Sequence, residues 1–131
     1  MELNIGQCAS ISKTITGEDI ERFAEVVEDR NPVHLDDQYA KQTIFKKRIA
    51  HGMLGAGLIS AVIGTKLPGP GTIYLSQTLK FTAPVYIGDH ITAEVTVKNI
   101  RKDKGIISLD TVVVNQDKKH VIQGEAVVMH R

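Results

Sequence analysis

The sequence predicts an α+β domain in which an antiparallel sheet of about five strands wraps around one long buried helix, and three observations carry that prediction. Amphipathic helical periodicity is confined to the first part of the chain. Residues 52–65 form an uncharged run that is apolar or small almost all round, and a helix without a polar face is normally enclosed by its domain. Beyond Pro68-Gly69-Pro70-Gly71 the pattern alternates with period two, as half-buried strands do.

Taken in order, a short strand is expected near Ser10 to Ile15. Thr16 then supplies a hydroxyl for a helix N-cap, and Glu18 and Asp19 fall in the first turn, where free amides and the helix dipole favour them. Ile20, Phe23, Ala24 and Val27 recur at helical spacing as an inner face, with Glu21, Arg22, Glu25 and Glu28 on the wet side. The pattern stops at Asn31-Pro32, because a residue before proline is pushed out of helical geometry. Asp29 is thereby placed at a helix end and His34 just beyond it, in a turn. A short polar helix over Asp36 to Lys41 and a basic loop, Lys46-Lys47-Arg48, lead into the apolar helix. Gly55, Gly57 and Gly64 weaken that helix, which calls for close approach by a sheet or a ligand.

Strands follow over Ile73 to Phe81, through Ile91, Ala93, Val95 and Val97, over Gly105 to Asn115, and over His120 to His130, with turn signals between them. Early helices and later hairpin-linked strands give an antiparallel α+β domain. A sheet curled around one apolar helix is the hot-dog architecture. The 131 residues fit a single domain, 1–131, with no room for a separate cofactor-binding unit.

Composition removes several classes of function. A formal net charge of +1 and 5% aromatic residues with no tryptophan argue against nucleic acid as a partner. The uncharged run falls short of the roughly 20 residues that cross a bilayer. The first residues lack a secretory pattern, so a cytoplasmic protein is expected. Cys8 stands alone, cannot form an internal disulfide, and reads as a small buried or half-buried side chain. Histidines at 34, 51, 90, 120 and 130 show no paired ligand spacing, and no metal site is expected. No dinucleotide fingerprint, phosphate loop or nucleophile elbow is present, which leaves acid/base and electrostatic chemistry.

Asp29-Arg30-Asn31-Pro32-Val33-His34 sets a carboxylate and an imidazole five residues apart across a proline-enforced turn. Both can point into one cleft and work on one water, although Asp, Asn and Pro are also ordinary turn formers. His51-Gly52 opens the apolar helix, so the Gly52 amide is a candidate donor to a developing oxyanion, while His51 reads more readily as a cap or packing residue. Ser60 is the one hydroxyl inside the apolar run, and a helix serine commonly bonds back to its own preceding turn. Ile59 and Ile63 stand four apart and could face one channel beside Ser60.

Asp29-x-Asn31-Pro32-x-His34, His51-Gly52-Met53, the segment from Tyr74 through Gln77, Phe81, Pro84-Val85 and Gly88-Asp89, then Ala93-Glu94-Val95 and Gly124-Glu125-Ala126 together resemble the MaoC-like family. The resemblance is to its small (R)-specific enoyl-CoA hydratases, which feed polyhydroxyalkanoate synthesis. It implies a hot-dog homodimer, an acyl-CoA thioester as substrate with coenzyme A as part of that substrate rather than a cofactor, and Asp29 and His34 as the dyad holding the water. It further implies Gly52 as an oxyanion donor, Ser60 as a supporting residue, and Asn31 beside the substrate. Lys46, Lys47 and Arg48 become candidates for the coenzyme A phosphates, a role a solvated basic loop would imitate. Arg30 replaces the small residue expected beside the dyad aspartate. Alternatives left open are a 3-hydroxyacyl-ACP dehydratase and a non-catalytic acyl-thioester-binding subunit.

Overall fold

A computed structural model describes residues 2–131. Within them, β1 is Cys8–Thr14, α1 Gly17–Val27, α2 Pro32–Leu35, α3 Asp37–Lys41, α4 Gly52–Thr65, β2 Ile73–Gln77, β3 Lys80–Phe81, β4 His90–Arg101, β5 Ile106–Val114 and β6 His120–Met129. All pairings are antiparallel, in the order β1-β4-β5-β6-β2, with β3 also paired to β6.

The one strand expected over Ile73 to Phe81 is two, so the described residues hold six strands. The break is built on Gly124, where any side chain would run into the carbonyl oxygen of Thr78. Thr78 N donates to Glu125 O at 2.9 Å, and Glu125 N donates back to Thr78 Oγ1 at 3.0 Å. The chain therefore pinches against β6 there and re-enters the sheet at Lys80.

α1 begins as the sequence predicts, with a reciprocal cap: Asp19 N donates to Thr16 Oγ1 and Thr16 N to Asp19 Oδ2, both at 3.0 Å. Ile20 and Ala24 are buried, but Val27 is 48% exposed because the helix ends there, with Glu28 in the left-handed region at φ 64°. Asp29 consequently lies beyond the helix, not at its end. His34 sits on the one-turn helix α2 and not in a turn.

α4 packs on one face of the sheet, chiefly against β4. Ile59, Val62 and Ile63 pack against Ile91, Ala93, Val95, Val97, Leu109 and Val113, all almost fully buried. Full burial of each valine, leucine or isoleucine side chain among them contributes about 1.5–3 kcal/mol. The sheet does not enclose the helix, however. Met53, Gly57, Ser60 and Gly64 form an exposed outer face. Of the three glycines, Gly55 alone meets a close neighbour, Ile122 Cδ1, at 2.8 Å from where a Cβ would stand, while Gly57 and Gly64 face open space. Cys8 is exposed, at the head of edge strand β1, contrary to the expected burial.

Candidate active site

The segment from Glu28 to His51 crosses the N-terminal end of α4. Asn31 Oδ1 accepts from Val33 N at 3.2 Å and caps α2, and Pro32 occupies the first helical position, where its missing N–H costs nothing. Asp29 Oδ1 accepts from Asn31 N at 3.2 Å. Ile49 N donates to Val33 O at 3.3 Å, and Arg48 Nε to His34 O at 2.7 Å, so α2 is tied to the strap that leads into α4.

His34 is only 8% exposed. Its Nδ1 lies 2.8 Å from Ile49 O, and because a carbonyl only accepts, Nδ1 carries the proton and Nε2 is left bare. Burial pushes the imidazole below its ordinary 6.5, the Ile49 bond opposes this, nearby His51 adds to it, and the Asp29 carboxylate pulls the other way. His51 is buried, with its ring stacked on that of His34 at 3.8 Å between centroids and 26° between planes.

A cavity of about 470 Å³ opens beside these rings. His34, His51 and Gly52 supply its polar end, while Phe45, Leu54, Phe81, Val85 and Ile122 are among its apolar walls. Gly52 is the first residue of α4, where an amide has no partner inside the helix. A side chain there would stand 2.6 Å from Phe81 Cε1, so glycine leaves room for the aromatic wall.

The structure brings Asp29, His34 and His51 together, with Gly52 next in the chain to His51, although Asp29 itself does not line the cavity, and it separates the others. Ile59 and Ile63 point into the core, at 0% and 1% exposure, and do not line the cavity. The i,i+4 spacing did put them on one face, but it is the face against the sheet. Ser60 falls on the exposed outer face of α4 and does not line the cavity within one chain. Asn31 does not line it either, its side-chain oxygen being used as a cap. Lys46, Lys47 and Arg48 line a second hollow of about 280 Å³ with Lys41, Asp37, Tyr86 and Ile87, and Lys47 Nζ lies 5.3 Å over the Tyr86 ring. The walls at Phe45, Phe81, Val85 and Ile122 were missed as site residues. Phe81 and Pro84-Val85 were visible as motif, without a role attached.

One carboxylate oxygen of Asp29 and one ring nitrogen each of His34 and His51 lie within 4.8 Å of one another, the one group among the described residues close enough to share a cation. The three come from separate segments, so ligand spacing in the sequence gave no sign of them. Two of the four ring nitrogens are already bonded to carbonyls, leaving one on each ring. What remains is a bare imidazole nitrogen near a carboxylate at the mouth of an apolar cavity, a set suited to moving protons on a bound water.

Fold and site together define a hot-dog domain with a carboxylate and two imidazoles gathered near the start of its central helix. Residues 5–119 match the family described as MaoC like domain, and the chain belongs to that family. It is 52% identical over 128 residues to the (R)-specific enoyl-CoA hydratase of Rhodospirillum rubrum, covering 98% of this chain and 88% of that one. Among solved structures it resembles an (R)-hydratase from A. caviae involved in PHA biosynthesis, with TM-score 0.95, 45% identity and 98% of each chain covered. The unliganded R-hydratase of Pseudomonas aeruginosa matches with TM-score 0.93 and 52% identity, over 98% of this chain and 82% of that one. No helix among the described residues is long and apolar enough to cross a membrane.

Proposed function

We propose that the protein is an (R)-specific enoyl-CoA hydratase, adding water reversibly to a trans-2-enoyl-CoA to give an (R)-3-hydroxyacyl-CoA. The observation that carries this reading is the bare Nε2 of buried His34, with the Asp29 carboxylate near it, at the polar end of an apolar cavity. Near-full-length likeness to hydratases of that name supports it.

Asp29 and His34 hold one water between them. As its oxygen bonds to the β-carbon, the pair takes the water's proton, on the bare Nε2 of His34 or on the Asp29 carboxylate, and returns that proton to the α-carbon, so that both groups end as they began. The electron pair of the double bond passes through an enolate, and the Gly52 amide, at the positive end of α4, steadies the thioester oxygen while that charge is present. Dehydration is the same path reversed.

We further infer a homodimer. β2 is an edge strand whose Ile73, Tyr74 and Leu75 are all exposed, and α4 carries an open outer face of its own. Unpaired apolar edges are normally covered. Ser60 would join the site only through such an assembly.

Crotonyl-CoA and the pure protein decide the reaction. Loss of the enoyl absorbance with formation of the (R)-3-hydroxy product is expected. Release of free thiol would make it a thioesterase, and tight binding with no turnover would make it an acyl-thioester-binding subunit. Preference for the acyl carrier protein thioester over the CoA thioester would move it to the dehydratase alternative.

A further inference from the structure

We propose that His51 is a positioning residue for the Asp29–His34 pair, one side chain that holds the main chain of the first and the ring of the second. Its Nε2 lies 2.8 Å from the carbonyl oxygen of Asp29, twenty-two positions earlier in the sequence. A carbonyl only accepts, so Nε2 carries the proton and donates. The same ring lies almost parallel to that of His34, and Phe23 of α1 packs on it at 5.0 Å between centroids, tilted by 59°.

These contacts are not those of a helix cap. His51 sits at the N-cap position of α4, where a side chain ordinarily bonds to a first-turn amide, and it makes no such bond. Its Nδ1 is buried without a hydrogen-bond partner, so the one polar link the ring makes is the one to Asp29. Exposure of 3% leaves the ring no other orientation without breaking that link or the stack.

The geometry explains how an exposed aspartate on an irregular segment is kept in register with a buried histidine. Glu28, in the left-handed region, reverses the chain after α1, and the local turn holds Asp29 only through its own carboxylate, which accepts from Asn31 N at 3.2 Å. His51 holds its main chain as well. The titratable and charged groups around the ring are the Asp29 carboxylate, the neutral His34 imidazole and, on the strap before it, Arg48, whose Nε is bonded to His34 O. Phe23 closes the remaining side without charge.

The inference rests on the hydratase reading for its kinetic test and on the structure alone for a second one. His51→Phe keeps a flat ring between Phe23 and His34 and removes the donor to Asp29. His51→Gln loses the ring but can still donate from a similar position. With crotonyl-CoA, His51→Phe is expected to lower kcat about ten- to a hundredfold with KM within about threefold, since misplacing a reacting group by an ångström costs on that scale. His51→Gln should recover most of the loss. A Phe variant that is folded by circular dichroism and turns over at the parental rate overturns the proposal, as does equal loss in both variants. Nitrogen-15 spectra of the parent's histidine rings supply the second test. They should show His51 as the Nε2–H tautomer, and finding Nδ1–H overturns the tether whether or not crotonyl-CoA proves to be the substrate.

Discussion

Arg48 Nε donates to the carbonyl oxygen of His34 at 2.7 Å, which ties the basic loop to the helix turn that carries the imidazole. Arg48 therefore has a structural task that Lys46 and Lys47 do not share. Reversing Lys46 and Lys47 to Glu is expected to raise KM for the CoA substrate several-fold with kcat nearly unchanged, and more so at low ionic strength, because exposed charges are screened within about 10 Å at 0.1 M salt. Unchanged KM at low salt would free the loop of any role with the coenzyme A phosphates. Arg48→Ala should instead lower kcat, by loosening α2.

For the reacting pair, Asp29→Asn and His34→Ala should each reduce kcat by at least about a hundredfold, with KM changing far less, as befits general acid/base groups. The double variant should be little worse than the worse single one, because two groups acting on one water are not independent. Hydration by Asp29→Asn within about threefold of the parent, with an intact fold, would reduce that aspartate to a turn former.

The acid limb of kcat/KM should lie below 6.5. Burial disfavours the His34 imidazolium, so the imidazole keeps its lone pair to lower pH than a free histidine would. The sign for stability follows. Between the depressed folded value and 6.5 the unfolded chain binds the extra proton and the folded one does not, so this contribution is complete above 6.5 and is lost as pH falls through that window. A rate profile falling with an apparent midpoint above 6.5 would contradict His34 as the group whose protonation stops the reaction.

Most of the fold was legible in the sequence, because its signals are local. The Thr16–Asp19 cap, the period-two alternation along β4 and the apolar run of α4 each depend on a few neighbouring residues. The split of β2 from β3 was not legible, since it depends on Gly124 lying opposite Thr78, a contact across 46 positions. In the site, the Asp29–His34 spacing and the Gly52 helix start could be read directly. The cavity walls could not, as Phe81 and Ile122 meet through the sheet register and Phe45 joins them from the segment between α3 and α4. Helical spacing put Ile59 and Ile63 on one face without saying which structure that face meets.

Chain-length preference should therefore respond to the walls and not to the helix core. Ile122→Ala is expected to raise the ratio of octenoyl-CoA to crotonyl-CoA turnover. Ile63→Ala should leave that ratio unchanged while costing about 2–5 kcal/mol of stability, measurable by denaturant unfolding. A ratio that moves with Ile63 and not with Ile122 would place the acyl channel along α4 after all.

The groups proposed to do the chemistry lie between residues 29 and 52, whereas much of the apolar wall comes from residues 81–85 and 121–122. The two sets meet at one cavity, lined by His34, His51 and Gly52 but not by Asp29, and share no stretch of chain. Substitutions that reshape the wall are thus separable, in inheritance and in the laboratory, from those that touch proton transfer. A lineage carrying this domain can wander among acyl substrates by drift in the β3–β4 connection and the start of β6, under no obligation to reinvent its reaction at each step.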